Sequence, residues 1–263
     1  MSTAVQSVSA YELFDSVHLE LAPKENDNRL VRLIAEGSAP RSVFRALAAE
    51  ESRIVPSDWR CFLYLAARSE CFSTREFFTE LAQGEALALT KLKDLVEALG
   101  LTDDEVSKYQ PMAGCQAYPS FMSWLALHGK PADALVALAT NFAAFGGYCA
   151  TIAKAMREHY GFDDAACGFF DFFGTPIPGM QDRIATLVQS ALDSDECSEE
   201  SRVYSRLFQS YELMFWNTIA DDIDWSGQDW SEQVGSQRTA APSSAEQGIR
   251  TRHVVDSQRN RDC

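Results

Sequence analysis

The stretch Ser210-Tyr-Glu-Leu-Met-Phe-Trp-Asn-Thr-Ile219 holds one carboxylate, Glu212, among aromatic and aliphatic side chains, and its apolar spacing predicts a helix. An unpaired carboxylate is costly to bury, so a Glu212 that faces the core is paired, protonated or functional. Aromatic residues within two helical turns of it would then wall a pocket for a flat ligand: Phe208, Tyr211, Phe215 and Trp216. The alternative is an amphipathic helix whose glutamate faces solvent, and the segment alone leaves both open.

Helical periodicity continues outward from this stretch, and alternating strand-like runs are scarce. Apolar spacing and turn residues predict helices over 9–21, 28–36, 40–70, 73–99, 104–107, 115–128, 131–159, 163–172, 177–193 and 197–223. Gly100 is expected to close the fourth helix, and Thr102 to Glu105 reads as a capping box that starts the fifth. Pro56 is expected to kink the third helix or to begin a new one at Ser57. Long helices with short connections predict an all-α bundle in a single domain.

The composition changes at both ends of the predicted helical domain, which covers residues 10–224. Residues 225–263 are rich in Ser, Gln, Arg, Gly and Asp and contain few aliphatic residues. Such a segment cannot bury enough apolar surface to offset the entropy of ordering, so it is expected to be a disordered tail. Residues 1–9 are expected to be disordered as well.

The overall charge argues against several classes of partner. The 263 residues carry a formal net charge of −15, and the pI is about 4.7. Because affinity for nucleic acid rests on cationic contacts to phosphates, neither nucleic acid nor an anionic membrane is expected as a partner. No basic segment followed by an apolar run opens the chain, and no stretch approaches the roughly 20 apolar residues of a membrane span. A soluble, cytoplasmic protein is therefore expected.

The cysteines and histidines do not follow metal-binding patterns. Seven cysteines are an odd count without CxxC spacing, so neither a disulfide framework nor structural zinc is expected. The four histidines, at positions 18, 128, 159 and 253, match neither HExxH nor ExxH spacing. We therefore expect no metal and no cofactor.

Five short elements stand in the order and at the spacing of one family's motifs. They are Ile34 to Phe44, Gly84-Glu85 with Leu99 to Leu101, Ala117-Tyr118, Tyr148 to Met156, and Tyr211 to Trp216, of which the last is the most specific. In these elements the chain resembles the TenA/THI-4 family of thiaminase-II-like proteins, which includes PqqC-like relatives. The resemblance covers residues 10–222 and implies a haem-oxygenase-like helical bundle. By analogy with relatives it also implies a homodimer or homotetramer.

The resemblance implies a site as well. In thiaminase-II-like enzymes of thiamin metabolism the substrate is an aminopyrimidine, and a glutamate on the last helix does acid–base work. That glutamate matches Glu212, and the aromatic residue three positions later matches Phe215. An aspartate that binds the amino edge of the ring falls at Glu51, and a tyrosine that lines the pocket falls at Tyr118.

Other positions depart from the family's pattern. The nucleophilic cysteine of one subgroup falls at Phe145, and the glutamate that replaces it elsewhere falls at Gly146. Two further pocket tyrosines fall at Cys149 and Phe173. Cys149 lies one turn after Phe145, but the sequence offers no cation or helix N-terminus to activate its thiol, which favours a structural role.

Glu51 and Glu212 are the pair on which the functional hypothesis rests. Two carboxyl groups that face one pocket repel when both are ionised, so one is expected to hold a proton near neutrality. Such a pair suits hydrolysis of a C–N bond in an aminopyrimidine-like or other heterocyclic amine, and equally a non-catalytic grip on a small-molecule ligand. The alternative for Glu51 is a solvated Glu50-Glu51 pair beside Arg45 and Arg53.

The nature of the ligand and a redox alternative stay open. Phe145, Cys149 and Phe173 predict a more apolar pocket, hence a ligand that differs from thiamin fragments. Asp171 is the polar exception in the run from Phe169 to Phe173. A haem-dependent, di-iron or PqqC-like cofactor-free redox enzyme is the third hypothesis. The haem branch is disfavoured because the charged neighbours of His18 suggest exposure. The di-iron branch is disfavoured because three acidic residues come without a matched histidine: Glu51, Glu85 and Glu212.

Overall fold

Helices account for the secondary structure of residues 9–21 and 27–223, which are the residues that the computed structural model describes, and no strand occurs among them. The elements are α1 (Ala10–Leu21), α2 (Arg29–Ala35), α3 (Ser42–Arg68), α4 (Phe72–Ala98), α5 (Asp103–Lys108), α6 (Ala113–His128), α7 (Pro131–Tyr160), α8 (Asp164–Gly174), α9 (Met180–Asp193) and α10 (Ser201–Asp221). Each helix predicted from the apolar spacing is present, with ends that differ by at most four residues. The all-α prediction is confirmed.

Local chemistry sets several of the helix ends. The predicted capping box at α5 is present: the Thr102 hydroxyl accepts a hydrogen bond from the Glu105 amide at 3.2 Å, and the Glu105 carboxylate accepts one from the Thr102 amide at 2.8 Å. Each bond satisfies an amide that the helix leaves without a partner. Gly100 follows α4 with φ +64°, a left-handed conformation that glycine adopts without steric cost.

Pro56 lies inside α3, which continues unbroken, so no new helix begins at Ser57. A proline in a helix interior removes one backbone hydrogen bond and costs about 3 kcal/mol. Buried apolar residues lie on both sides of it, among them Ile54, Phe62 and Leu65. Each contributes roughly 1.5–3 kcal/mol when removed from water, so tertiary packing outweighs the local penalty.

The helices pack so that their apolar faces enclose one central region. α3 lies against α4 and α6, and α7 lies against α8 and α10. α10 connects the two groups because it also contacts α6 and α3, while α4 meets α8 on the opposite side. The largest fully buried side chains include Trp216, Phe77, Phe169 and Phe208.

The helix α7 corrects the expectation that no stretch of the sequence is long and apolar enough to resemble a membrane span. By length and composition alone it could cross a membrane, since an 18-residue window reaches a mean hydropathy of 1.5. In the bundle it packs against α2, α8, α9 and α10. A core helix passes the same test, so this feature is weak evidence for a membrane span.

Several predictions concern parts of the chain outside the described residues. The predicted disordered tail at 225–263 lies there, and so do residues 1–8 of the predicted disordered N-terminus. Ser9 is described and immediately precedes α1, and its hydroxyl accepts a hydrogen bond from the Glu12 amide at 3.2 Å. The side chain of His18, the candidate haem ligand, also lies outside the described part.

Candidate active site

A cavity of about 80 Å³ lies where α3, α4, α6, α7, α8 and α10 meet. This is several times the roughly 10–15 Å³ that one buried water needs, so the space suits a small organic molecule. Its apolar walls are Ile54, Val55, Phe62, Leu138, Phe142, Phe145, Phe173 and Phe215. Its polar groups are Glu51, Asp58, Glu85, Tyr118, Asn141 and Glu212.

Helical spacing explains which residues reach the cavity. On α3 the lining positions are 51, 54, 55, 58 and 62, and on α7 they are 138, 141, 142 and 145. Residues three, four and seven apart share one face of a helix, so each long helix presents a single face to the cavity. α10 adds Glu212 and Phe215 from the stretch that first suggested a pocket.

The structure brings six of the seven sequence-predicted site residues to this cavity. They are Glu51, Tyr118, Phe145, Phe173, Glu212 and Phe215. Cys149 is not among the lining residues, although it is fully buried one turn beyond Phe145. The rings of Phe145 and Phe173 meet edge to face with centroids 5.3 Å apart. We infer that this aromatic pair ends the cavity before it reaches Cys149.

Glu212 faces the interior, which rules out the solvent-facing alternative, since its side chain is only 5% exposed. The Asn141 side-chain amide donates a hydrogen bond to Oε2, and the Trp216 indole N–H donates one to Oε1 at 3.3 Å. Burial raises the pKa of Glu212 to about 7, while both donors act in the opposite direction. Two donors on one carboxylate stabilise its ionised form.

Glu51 is buried to the same extent, at 5% exposure, but its surroundings differ. Burial raises its pKa to about 8, and the negative charges of Asp58, Glu50 and Glu212 add to the effect. No hydrogen bond donor among the described residues opposes that shift. Glu51 therefore holds its proton near neutrality, whereas Glu212 sits closer to ionisation.

Glu50 is also fully buried, so the solvated Glu50-Glu51 pair considered from the sequence is wrong. The Glu50 carboxylate accepts hydrogen bonds from the Tyr109 hydroxyl at 2.9 Å, the Met112 amide at 2.7 Å and the Gln116 side chain at 2.8 Å. These bonds fasten the segment between α5 and α6 to α3. Glu50 is not among the residues that line the cavity, and its three hydrogen bonds give it a structural role.

Sequence reasoning missed Asp58, and it considered Glu85 only as a metal ligand. Asp58 is 6% exposed, and its Oδ2 accepts a hydrogen bond from the Tyr118 hydroxyl at 3.0 Å. Burial raises the pKa of Asp58 to about 7, with that hydrogen bond acting against the shift. Burial and the charges of Asp58 and Glu51 raise the pKa of Glu85 well above its ordinary value. The signal for Asp58 was its spacing, seven residues after Glu51 on the same face.

The cavity wall contains no serine, threonine, cysteine or lysine. Phe145, where the resemblance predicted the position of a cysteine nucleophile, offers no nucleophilic group. Burial raises the pKa of Cys149 well above its usual value, and the charges of Glu51 and Glu212 raise it further. Cys149 is therefore a neutral thiol at physiological pH and a structural residue.

Asp171 lies outside the cavity and has a structural partner. Its carboxylate is 2.6 Å from the Arg157 guanidinium, which also reaches Asp164 at 2.8 Å. This ion pair joins α7 to α8. The polar exception in the phenylalanine run therefore stabilises the contact between two helices that line the site.

The acidic groups of the cavity are not arranged as a metal centre. Among the residues that the structure describes, no three His, Cys, Asp or Glu side chains lie close enough together to hold one metal ion. The cavity wall also contains no histidine.

Comparisons with known proteins agree with the fold. The family model described as the TENA/THI-4/PQQC family matches residues 29–222. No curated protein matches the chain.

Solved structures resemble it over nearly their whole length. A TenA homolog from Pseudomonas syringae pv. tomato is 11% identical, with a TM-score of 0.65 over 84% of this chain and 99% of that one. A TenA family transcription regulator from Silicibacter is 19% identical, with a TM-score of 0.63 over 82% of this chain and 99% of that one. A domain of unknown function with a haem-oxygenase-like fold from Shewanella denitrificans is 15% identical, with a TM-score of 0.58 over 90% of this chain and 95% of that one. At these identities the likeness shows the fold alone, which is haem-oxygenase-like.

Proposed function

Because the chain belongs to the TENA/THI-4/PQQC family, we propose that it is a small-molecule enzyme that hydrolyses a C–N bond in an aminopyrimidine-like or other heterocyclic amine. One observation carries this proposal: Glu51 and Glu212 line the same cavity, and of the two only Glu212 accepts hydrogen bonds from neighbouring side chains in the described structure. Members of the family are typically soluble, and we propose a cytoplasmic location.

The two carboxyl groups take different roles because their surroundings differ. Glu212 receives N–H donors from Asn141 and Trp216, which favour the carboxylate, so it acts as the general base. Glu51 keeps its proton to a higher pH and acts as the general acid. A pair of acids with separated pKa values supplies both functions at neutral pH.

The reaction balances with water as the only co-reactant. Glu212 takes a proton from a water molecule, and the water oxygen forms a bond to the ring or side-chain carbon. The C–N bond breaks, and Glu51 gives its proton to the leaving nitrogen, which departs as ammonia or an amine. Transfer of the proton from Glu212 to Glu51 through solvent restores the starting state.

The walls of the cavity suit a flat, weakly polar ring. Phe145, Phe173 and Phe215 present aromatic surface on α7, α8 and α10. Apolar walls also keep the local dielectric low, which strengthens the interaction of both carboxyl groups with charge that develops on the substrate. With phenylalanines in place of tyrosine and cysteine, we propose a ligand more hydrophobic than a thiamin fragment.

The direct test is release of ammonia or amine from a panel of aminopyrimidines, with Glu212→Gln as the diagnostic variant. We expect Glu212→Gln to lower kcat at least about a hundredfold, because a general base contributes about 10²–10⁴-fold. Circular dichroism should show an unchanged fold. The control is Glu97→Gln, which makes the same substitution at an exposed position on α4 and should keep full activity. Full activity in Glu212→Gln would remove this residue from the mechanism.

A non-catalytic binding protein is the second candidate, and one observation favours it. The cavity wall has no serine, threonine, cysteine or lysine that could act as a nucleophile, and Phe145 stands where one is expected. A binding protein should co-purify with an intact ligand, which native mass spectrometry would identify. An enzyme should convert that same ligand in the presence of water.

A further inference from the structure

We propose that Asp58, with Tyr118 and Glu85, forms a second nitrogen-binding subsite in this cavity, which takes a cationic amino group of the substrate. The inference rests on the proposed function, since it concerns the part of the ligand that lies away from the C–N bond between Glu51 and Glu212. It narrows the substrate class to molecules with two basic nitrogens.

The first support is an unsatisfied acceptor. Asp58 lines the cavity and is nine-tenths buried, and its Oδ1 has no hydrogen bond partner in the described structure. Leaving a buried acceptor unpaired is unfavourable, and more so when the group is charged. A cationic N–H donor of a ligand would satisfy Oδ1 and remove that cost.

The second support is that the carboxyl group is oriented. The Tyr118 hydroxyl donates to Oδ2 at 3.0 Å, and the Tyr118 ring packs edge to face against Phe208 with centroids 4.9 Å apart. The tyrosine is thus fixed by the core, and it fixes one oxygen of Asp58 while leaving the other one open. This is the arrangement of a preformed polar contact in a largely apolar pocket.

The third support is the charge of the wall. The cavity has four carboxyl groups, at Glu51, Asp58, Glu85 and Glu212, and no lysine, arginine or histidine to neutralise them. Carboxylates bind ammonium and amidinium groups through short, charge-assisted hydrogen bonds. Glu85 adds a second carboxyl group from α4, and its pKa is raised in part by the charge of Asp58. A bound cation would lower the pKa of both groups and pair with their ionised forms, so this part of the cavity favours a cation over a neutral donor.

The spacing of the two acidic regions sets the shape of the ligand. Asp58 follows Glu51 by seven residues on α3, which is about 10 Å along a helix axis. Between them the same face presents Ile54 and Val55, and Leu138 on α7 also lines the cavity. A ligand that reaches both regions carries two nitrogens separated by an apolar portion.

The experiment measures binding of two matched probe series by calorimetry. One series is the α,ω-diaminoalkanes from 1,3-diaminopropane to 1,8-diaminooctane, and the other is the n-alkylamines of the same lengths. We expect one diamine length to bind about tenfold more tightly than its monoamine, since a hydrogen bond between charged groups contributes about 1.5–3 kcal/mol.

The variant Asp58→Asn keeps an oxygen that can accept the Tyr118 hydrogen bond but lacks the charge. In this variant we expect the preference for the diamine to fall to roughly the twofold that two equivalent ends give statistically. Asp103→Asn makes the same change at an exposed position in the first turn of α5 and should leave the preference intact. If Asp58→Asn does not fold, Tyr118→Phe replaces it, because loss of the orienting hydroxyl should also reduce the preference.

Failures of the two proposals are distinguishable. Equal binding of diamines and monoamines by the natural protein would overturn the subsite, and so would a full diamine preference in Asp58→Asn. Either result would leave hydrolysis of aminopyrimidines untouched. A diamine preference that depends on Asp58, in a protein that hydrolyses no amine, would keep the subsite and reject the enzyme.

Discussion

The carboxyl group of Glu51 makes the stability of the protein depend on pH. Its pKa is about 8 in the folded state against an ordinary value of 4.5, so the folded protein binds this proton more tightly than the unfolded chain. The stability that this site contributes is fully present below about pH 4.5 and is lost as the pH rises through 8. Asp58 and Glu212 have raised pKa values of about 7 and act with the same sign.

We therefore expect Glu51→Gln to be more stable, relative to the natural protein, at pH 8.5 than at pH 5.5. The difference should be on the order of 3 kcal/mol, since each unit of pKa shift corresponds to about 1.4 kcal/mol and nearly all of the interval from pH 5.5 to 8 lies between the two pKa values. Urea denaturation at the two pH values measures it. Glu97→Gln, at an exposed site, should show no such change. An effect of pH on Glu51→Gln equal to that on the natural protein would mean that Glu51 ionises normally.

At the residue scale the sequence pointed to both members of the acidic pair, Glu51 and Glu212, but not to all four carboxyl groups of the cavity wall. Glu212 was conspicuous because its neighbours are apolar, and the family resemblance pointed to Glu51. Asp58 and Asn141 lie on the same helix faces as recognised residues, yet periodicity does not tell which face borders an empty space. Cys149 is not among the lining residues, although residues 145 and 149 share a face; we infer that the Phe145–Phe173 contact ends the cavity between them.

At the scale of elements, boundaries set by local chemistry were predictable and those set by packing were not. Thr102 and Glu105 cap α5 through bonds that the sequence already contains. The continuity of α3 through Pro56 was not predictable, because it depends on burial against α4 and α6. The pairing of Asp171 with Arg157 belongs to the second kind, since the ion pair forms only when α8 folds back on α7.

The contact between α7 and α8 gives a prediction at this scale. A Cβ added at Gly174 would lie 2.7 Å from the Ala150 backbone nitrogen and 2.9 Å from its Cα. Backbone atoms cannot move aside like a flexible side chain, so Gly174→Ala should separate α8 from α7 and displace Phe173 from the cavity wall. We expect a loss of about 1–3 kcal/mol in thermal or urea unfolding, together with weaker ligand binding.

A second glycine in the same helix pair supplies the matched control. A Cβ at Gly147 on α7 would meet nothing within 4 Å, and the residue is exposed. Gly147→Ala should therefore stabilise the protein by about 0.5–1 kcal/mol, the ordinary gain from replacing glycine inside a helix. Equal effects at both positions would show that helix propensity, and not the approach of α8 to α7, decides the outcome.

At the scale of the whole molecule, the net charge leads us to expect that nucleic acid is not a partner. Residues 225–263 contain five arginines and five acidic residues, so their formal charge is zero and the net charge of −15 belongs to the rest of the chain. A helical domain with that charge repels phosphates at distances up to the Debye length. One similar structure is described as a TenA family transcription regulator, but the likeness to it extends only to the fold.

We expect no binding to duplex DNA even at 50 mM salt, where cationic contacts contribute most. Proteins that bind DNA without sequence preference reach dissociation constants of about 10⁻⁴–10⁻⁶ M, so fluorescence anisotropy of a labelled duplex at up to about 100 µM protein tests the expectation. The full chain must be used, because residues 225–263 contain five arginines, and arginines are the side chains that would contact DNA phosphates. Saturable binding that weakens steeply with added salt would contradict the expectation. It would show that these arginines bind DNA phosphates despite the negative charge of the helical domain. No change in anisotropy is expected, because the helical domain keeps its excess of carboxylates over cations at every salt concentration.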